Sequence, residues 1–293
     1  MKPHHIFLWI VVYFWIDASI GQTHVVAPDT ISTNDVFGLA LNADQTEAFW
    51  VKSWGGRDSL MILTSHKVNN HWSTPQPAPF SVTTRKFKDI DPFFAPDGKT
   101  LLFNSNRFND PKNFDIWIVK KQKNGWGEPS SLGKVINSDS SDFYATMASN
   151  GNIYFTSNRD GGYGKTDIYV ATQDKGKYNK PVNLGNIVNT AGFESNPYIS
   201  PKEDFLIFLA TDRKDGYGDS DLYITFKKET AWTIPQNLGN IINTTHGEFC
   251  PSMSSDGNYF YFSRVKRGKK LEENIYQIER KELQLETLRK QAH

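Results

Sequence analysis

Five acidic residues recur along this chain at similar intervals, and their carboxyl groups are the first place to look for chemistry. They are Asp35, Asp89, Asp142, Glu194 and Glu248. Five carboxylates brought together would repel one another unless a cation or hydrogen-bond donors met them, so a ring of them would favour a bound metal or a cationic side chain. The alternative is that each carboxylate accepts backbone N–H groups within its own repeat and fixes a turn. Because a residue present in every repeat usually builds the repeat, we expect this structural role for the acidic column.

A second set of positions lies two residues after each acidic residue, and its members differ from repeat to repeat. They are Phe37, Asp91, Tyr144, Asn196 and Cys250. Residues two apart on a strand point to the same face, so this set accompanies the acidic column. Positions that vary between repeats are free to form a binding surface. We therefore expect these five side chains to lie beneath a ligand where the repeats converge.

Three arginines are each followed by an aspartate eight residues later, which predicts an ion pair across a hairpin in each case. The pairs are Arg107/Asp115, Arg159/Asp167 and Arg213/Asp221. Their repetition favours a structural role over a catalytic one.

Two further groups of residues carry weaker chemical signals. Asp215, Asp219 and Asp221 offer hard oxygen ligands for calcium, but their spacing is not that of an EF-hand and solvated loop aspartates are commoner. His246 lies four residues before Cys250, and a nucleophilic thiol needs such a base nearby. A cysteine in an inner strand is ordinarily buried and inert. We predict no catalytic residue, no metal and no cofactor.

The elements that position these residues come from a repeated phrase, an aromatic residue followed after two residues by proline. Its anchors recur every 52 to 54 residues, at Trp72, Trp126, Tyr178 and Trp232. The last three copies continue as Leu-Gly-x-x-(Ile/Val)-Asn and end at Asn137, Asn189 and Asn243. A period near 53 indicates several copies of one supersecondary unit.

Each unit reads as four short strands separated by turns, which is typical of a β-propeller blade. Apolar second strands such as Phe205–Leu209 predict burial on both faces, and Asp97-Gly98 and Asp256-Gly257 predict tight turns before two of them. First strands near residues 35, 89, 142, 194 and 248 predict an all-β propeller of five four-stranded blades. The varying positions would then lie near its axis.

Features at the two ends of the chain together predict how the ring closes. No aromatic phrase follows the last blade, and an extended segment, His24–Pro28, precedes the first. We predict that this segment supplies the missing outer strand and closes the ring, since an unpaired sheet edge is a liability. The propeller is predicted over 22–280, and the tail, 281–293, is expected to form a short helix on the ring.

The composition and the N-terminal sequence limit the cellular location and the binding partners that the protein can have. The charge is +1, from 33 basic and 32 acidic residues without long blocks, so no nucleic-acid footprint is present. The apolar run Ile6–Ile16 is short of the roughly 20 residues that span a bilayer. It predicts a signal peptide over 1–21, a mature chain without a membrane span, and a periplasmic or secreted protein. An uncleaved membrane anchor is the alternative. A single cysteine, Cys250, excludes an intramolecular disulfide.

Several phrases resemble the TolB-like, WD-like β-propeller repeat family. They are Ser105-Asn-Arg107, Ser157-Asn-Arg159-Asp-Gly-Gly-Tyr-Gly164 with Asp167-Ile-Tyr-Val, and Ala95-Pro-Asp-Gly98. The resemblance covers residues from about 34 to 280. It implies a secreted or periplasmic bacterial propeller that binds other macromolecules. Members commonly have six blades, so six blades are the alternative to the five repeats of this chain.

Three functions follow from this reading. The first is a non-enzymatic propeller that binds a protein or a cell-envelope polymer, because architecture explains every strong motif. The second is a secreted glycoside hydrolase with Asp89 and Asp91 as its acid pair, which would need carboxyls about 5–5.5 Å apart to retain or about 6.5–9.5 Å apart to invert. The third is a sugar-binding lectin that uses Trp54, Trp117 or Trp126.

Overall fold

The computed structural model describes residues 21–84, 86–107 and 113–293, and it forms a β-propeller of five four-stranded antiparallel blades. This confirms the predicted fold class and the count of five. Except for Gly21, the predicted signal peptide lies outside the described residues and stays a prediction.

The strands follow one another along the chain in the predicted order. The N-terminal strand is β1 (His24–Val25). Blade one holds β2 (Val36–Leu41), β3 (Glu47–Trp54), β4 (Ser59–Val68) and an outer strand in two pieces, β5 (His71–Trp72) and β6 (Gln76–Pro77). Blade two holds β7 (Asp89–Phe94), β8 (Thr100–Ser105), β9 (Asp115–Gln122), β10 (Gly125–Trp126) and β11 (Ser130–Ser131).

The last three blades repeat this plan. Blade three holds β12 (Asp142–Met147), β13 (Ile153–Ser157), β14 (Asp167–Ala171), the hairpin of β15 (Gln173–Asp174) and β16 (Lys177–Tyr178), and β17 (Val182–Asn183). Blade four holds β18 (Glu194–Ile199), β19 (Phe205–Ala210), β20 (Asp221–Lys228), β21 (Ala231–Trp232) and β22 (Gln236–Asn237). Blade five holds β23 (Gly247–Met253), β24 (Tyr259–Arg267) and β25 (Leu271–Glu279). A 3-10 helix (Arg280–Leu283) and α1 (Leu285–Gln291) follow.

Apolar layers between neighbouring blades hold the ring together. Phe49, Phe103, Phe155 and Phe208 are fully buried in the second strands, as expected for sheets covered on both faces. The aromatic of each repeated phrase packs into the layer between its own blade and the preceding one. Trp126 lies edge-on to Phe49 of blade one, and Trp232 lies edge-on to Tyr154 of blade three.

The N-terminal strand closes the ring, as predicted. Strand β1 pairs antiparallel with β25, placing His24 opposite Gln277 and Val25 opposite Tyr276. The next residues continue into the layer between blades five and one, where Val26 and Ile31 are buried. Blade five therefore gains its fourth strand from the opposite end of the chain.

The C-terminal tail fills the place of the phrase that blade five lacks. Leu283, Leu285 and Ala292 are buried in the layer between blades four and five, against side chains such as Phe226 and Phe260. The other four layers receive an aromatic from the repeated phrase at this position. The two tasks of the phrase are thus divided in blade five: β1 supplies the strand and the tail supplies the packing. Across the described ranges, no helix has the length and apolar character needed to cross a membrane.

Candidate functional site

The first strand of every blade carries a β-bulge at the propeller axis. The pairing with the second strand shifts register there in all five blades. In each bulge one residue has a positive φ of 47° to 65°; these residues are Gly38, Asp91, Tyr144, Asn196 and Cys250. A bulge bends a strand and re-aims a side chain. For the four residues other than glycine, the left-handed backbone is uncommon and costs free energy.

In blade one, the observed strand register shifts both predicted columns by one residue. Val36 pairs opposite Lys52 at the position that Asp89 holds in blade two, and Gly38 occupies the bulge position assigned to Phe37. The acidic column therefore has four members in register, and Asp35 lies one residue before it. Asp35 is partly exposed and pairs with Lys52 and Thr33. Counting three residues from each acidic residue aligns Gly38 with Pro92, Ala145, Pro197 and Pro251 of the later blades, whereas the register aligns it with the residue before each of them.

The bulge residues meet at the axis and close the channel in its middle. The Tyr144 hydroxyl donates to the Pro251 carbonyl oxygen at 3.0 Å, which links blades three and five. The Cys250 N–H donates to the Asn196 side-chain oxygen at 3.3 Å, and the Cys250 thiol lies 3.7 Å from Asp91 Oδ1. All four side chains are buried. The structure thus brings Asp91, Tyr144, Asn196 and Cys250 together. That these side chains lie beneath a ligand stays a prediction.

A pocket of about 260 Å³ opens on one side of these residues, and we call it the upper mouth. Its floor is formed by Asp91, Asn196 and Cys250. Its walls come from the residues just before the bulges, Phe37, Ile90, Phe143, Ser195 and Phe249, together with Leu60, Leu209, Ser220 and Val265; Arg57 and Arg267 complete the lining. Phe37 therefore lies in the wall, and Tyr144 is buried beneath the pocket without lining it.

Arg57 is held at the upper mouth by stacking and by an ion pair. Its guanidinium lies 4.7 Å from the ring centre of Phe37 and 5.3 Å from that of Phe249. Both Nε and Nη2 donate to the same oxygen of the buried Glu273. Cation–π contact and charge-assisted hydrogen bonding together fix this cation beside the pocket.

Burial shapes the ionisation of the pocket floor. Desolvation raises the pKa of Asp91 to about 6, although the Asn104 amide, Arg57 and the Cys250 thiol all favour the carboxylate. Asn104 Nδ2 donates to Asp91 Oδ2 at 2.9 Å. Desolvation, reinforced by the Asp91 charge, also raises the pKa of the Cys250 thiol well above its usual value. Cys250 is therefore a protonated thiol rather than a nucleophile, and among the described residues no hydrogen bond joins it to His246.

A second pocket, of about 540 Å³, lies on the other side of the closed channel, and we call it the lower mouth. It is lined by the far ends of the first strands, including Phe93, Phe94, Met147, Ile199 and Met253. Lys202, Asp204 and Arg280 supply charge there, and Asp204 pairs with Arg289 of the tail. The two mouths are separate sites because the buried bulge residues lie between them.

The four carboxylates of the acidic column that are in register are fully buried, and each is hydrogen-bonded within the propeller itself. Glu194 accepts the Thr190 N–H at 2.7 Å, and Glu248 accepts the Thr244 N–H at 3.0 Å. Asp142 accepts the Ser138 N–H, and Asp89 accepts the Val82 N–H, both at 2.6 Å. These carboxylates are not available as an open ring of charge around the axis.

The predicted arginine–aspartate pairs across hairpins are wrong in blades three and four. Arg159 pairs with Asp142 at 2.6 Å and Arg213 with Glu194 at 3.1 Å, so each arginine binds the acidic residue of its own first strand. Arg107 binds Asp89 and Arg264 binds Glu248 in the same way. Each guanidinium also stacks over two aromatic rings of its blade. Asp167 and Asp221 instead accept N–H groups of the glycine-rich loops, from Tyr163 and Tyr217.

The remaining candidates do not form a site. Asp215 accepts the Tyr223 hydroxyl, Asp219 pairs with Arg267, and Asp221 binds the Tyr217 N–H, so the three aspartates serve different partners. Within the described ranges no group of three or more His, Cys, Asp or Glu residues is placed to hold a metal ion. Trp117 is buried and Trp126 is half-buried with its Nε1 donating to Glu47, whereas Trp54 is exposed.

Sequence reasoning missed Arg57 and, apart from Phe37, the wall residues of the upper mouth. The column one residue before each bulge is apolar in four of five blades, with only Ser195 differing. That pattern, read next to the varying column, was a usable signal for an apolar wall. Arg57 lies in a loop without a repeated counterpart, so the sequence around it did not predict that its side chain lies near the propeller axis.

Solved structures show the same fold at low sequence identity. A protein provisionally described as TolB from Agrobacterium tumefaciens is 13% identical, with a TM-score of 0.51 over 82% of this chain and 76% of that one. A thermostable family-43 glycoside hydrolase is 11% identical, with a TM-score of 0.53 over 85% and 91%. An exo-β-1,3-galactanase from Clostridium thermocellum is 10% identical, with a TM-score of 0.53 over 88% of this chain and 62% of its own. No protein-family model and no curated protein matches the chain. These likenesses support the propeller fold alone, because one fold serves both binding proteins and enzymes.

Proposed function

We propose that this protein is a non-enzymatic binding propeller of the bacterial cell envelope, periplasmic or secreted, which binds a protein or an envelope polymer through its upper mouth. The observation that carries this proposal is the lining of the pocket. Asp91 is the one carboxylate among the described residues that line it. Glycoside hydrolysis ordinarily needs two carboxyls that flank the scissile bond.

The acid pair of the hydrolase hypothesis is not available in this pocket. Asp89 is fully buried, where it binds Arg107, Ser81 and the Val82 N–H. Glu273 is buried as well and holds Arg57. With one carboxyl facing the pocket and a protonated thiol beside it, the upper mouth has the apolar walls and few polar groups of a recognition site.

The location rests on two supports that are independent of the pocket. The first is the signal peptide predicted over 1–21. The second is the sequence resemblance to TolB-like repeats, which implies a secreted or periplasmic propeller that binds macromolecules. The lectin alternative is weakened because Trp117 and Trp126 are packed in the frame, and Trp54 remains as an exposed ring.

The test compares two substitutions on one strand. Phe143 and Met147 lie on β12, both half-buried, but Phe143 lines the upper mouth and Met147 lines the lower mouth. The mature wild-type chain, Phe143→Arg and Met147→Arg would each be immobilised and exposed to envelope extract. We expect one partner, identified by mass spectrometry, to be retained by the wild type and Met147→Arg and lost with Phe143→Arg.

Matching thermal melts of the two variants establish that any loss is local. Retention by Phe143→Arg together with loss by Met147→Arg would place binding at the lower mouth and contradict the proposal. A glycan screen with the wild type addresses the enzyme alternative. We expect no sugar release, and release abolished by Asp91→Asn would instead establish a hydrolase.

A further inference from the structure

The upper mouth contains a negative charge that the protein does not neutralise with an ion pair. Arg57 and Glu273 bind each other through two hydrogen bonds, so their charges compensate. Arg267 and Asp219 compensate at the exposed rim, where the two charged groups are 3.2 Å apart. Asp91 forms no ion pair with any described residue, and its neighbours are the Asn104 amide and the Cys250 thiol.

An uncompensated carboxylate in a buried site is costly, and the frame does not require one here. The same bulge position holds Gly38, Tyr144, Asn196 and Cys250 in the other blades, all of them neutral side chains. Asparagine also tolerates the left-handed backbone, as Asn196 shows with a φ of 52°. The charge at Asp91 is therefore a feature of the pocket rather than of the propeller frame.

The walls above Asp91 favour one kind of cation. Phe143, Phe249 and Leu209 present apolar surface. Phe249 already stacks with Arg57, which leaves the ring of Phe143 to attract a further cation. A divalent metal would need several oxygen ligands, and one carboxylate does not supply them.

A sugar amine would bring several hydroxyl groups, for which the walls offer the hydroxyls of Ser195 and Ser220. These already bond Thr156 and the Glu248 carbonyl oxygen. Sugar hydroxyls left without partners would lower the affinity. A long alkyl stem with a terminal ammonium meets both conditions.

We propose that the upper mouth takes a lysine side chain of a partner protein, with the ammonium against Asp91 and the methylene stem between the apolar walls. This inference rests on the proposed function, and it names the protein class of partner and the group that is inserted. It also predicts a ligand that can be studied without the partner.

The test uses Nα-acetyl-lysine-N-methylamide and the norleucine analogue, which keeps the stem without the ammonium. Calorimetric or NMR titrations would be run at pH 7.5 on the wild type, Asp91→Asn and Asp97→Asn. We expect the lysine compound to bind the wild type about tenfold or more tightly than the norleucine compound. We expect Asp91→Asn to remove that difference and Asp97→Asn, at a turn outside the upper mouth, to keep it.

Three outcomes would overturn the inference: no detectable lysine binding, equal binding of the two compounds, or binding unaffected by Asp91→Asn. Glucosamine provides a further arm, and equal Asp91-dependent binding of that sugar would replace lysine by an amino sugar as the ligand. These results are independent of the capture experiment. Partner retention that depends on Phe143 but not on Asp91 would leave the proposed function standing and refute the lysine.

Discussion

The side-chain amide of Asn189 bonds both backbone groups of Ile168: its oxygen accepts the N–H at 2.9 Å, and its Nδ2 donates to the carbonyl oxygen at 3.0 Å. Asn137 binds Ile116 and Asn243 binds Leu222 in the same manner. The last residue of the repeated phrase is thus a clamp on the third strand of its own blade. The residue after it, Thr190 or Thr244, binds the acidic residue of the next blade. The phrase therefore joins one blade to its successor.

Removing this clamp will destabilise the ring. Asn189→Ala leaves the buried Ile168 N–H without its acceptor, whereas the Ile168 carbonyl keeps the Leu184 N–H. An unsatisfied buried N–H costs about 1–3 kcal/mol, so we expect a loss of about that size in the free energy of unfolding, measured by urea denaturation. Asn179→Ala, at an exposed asparagine of the same blade, is the control and should change it by less than about 0.5 kcal/mol. Equal losses in the two variants would contradict the clamp.

The fold could be predicted because its signals are local and repeated. The phrase marks outer strands, and its absence after β25 pointed to β1 as the closing strand. The arginine partners could not be predicted from spacing. Arg159 and Asp167 lie at facing ends of a hairpin, but stacking on Phe155 and Tyr169 turns the guanidinium toward Asp142. The spacing of residues along the chain does not show in which direction the guanidinium points.

The candidate site was predictable only in part, for a related reason. The varying column led to Asp91, Asn196 and Cys250, because strand periodicity is visible in a sequence. The position of the bulge in blade one was not visible in the sequence, so Phe37 was assigned to the bulge position that Gly38 occupies. Arg57 contacts Phe249, which is distant from it in the sequence, and such a contact exists only once the ring is closed.

The C-terminal tail should be required for the stability of the ring. Leu285 is buried between blades four and five, so Leu285→Ala should cost about 2 kcal/mol, near the low end for such a truncation because the tail lies on the surface. Glu286→Ala, at the adjacent exposed position, should have little effect. Urea denaturation of both variants is the measurement, and a neutral Leu285→Ala would show that the tail is dispensable.

The N-terminal closure should have a larger effect. A chain that starts at Thr33 loses β1 and the buried Val26 and Ile31. From the apolar burial of those two side chains, we expect the melting temperature to fall by roughly 10 °C. His24→Ala, which keeps the strand and alters an exposed side chain, should melt like the wild type. An unchanged melt of the shortened chain would refute the closure.

Cys250 should be unreactive in the folded protein. Its thiol is buried at the closed centre of the channel, and desolvation raises its pKa. We expect alkylation by iodoacetamide at pH 8 to be slower than in urea by about two orders of magnitude or more, because reaction requires opening of the structure. Mass spectrometry of the labelled chain follows both rates. Rapid labelling without denaturant would mean that the centre of the channel is open to solvent.

Asp91 should make the protein less stable as the pH rises. Its pKa is 3.8 when exposed and about 6 in the fold, where desolvation disfavours the charge. The folded state therefore binds the proton more tightly than the unfolded state, and stability is lost as the pH rises from about 4 to about 6. Above that range the cost reaches about 3 kcal/mol. Asp91→Asn should remove it, so the variant should gain stability relative to the wild type across this window and keep the gain at pH 7.

Asp97 provides a control of opposite sign. Burial acts to raise its pKa, but hydrogen bonds from Lys99 and Thr100 lower it overall. The advantage of the wild type over Asp97→Asn should therefore be present above about pH 4 and should disappear as the pH falls below that value. Urea denaturation between about pH 2 and about pH 8 measures both variants. If the difference between Asp91→Asn and the wild type did not change with pH, the carboxyl would be ionised at little cost, and the upper mouth would lack the unneutralised buried charge from which its cation preference is inferred.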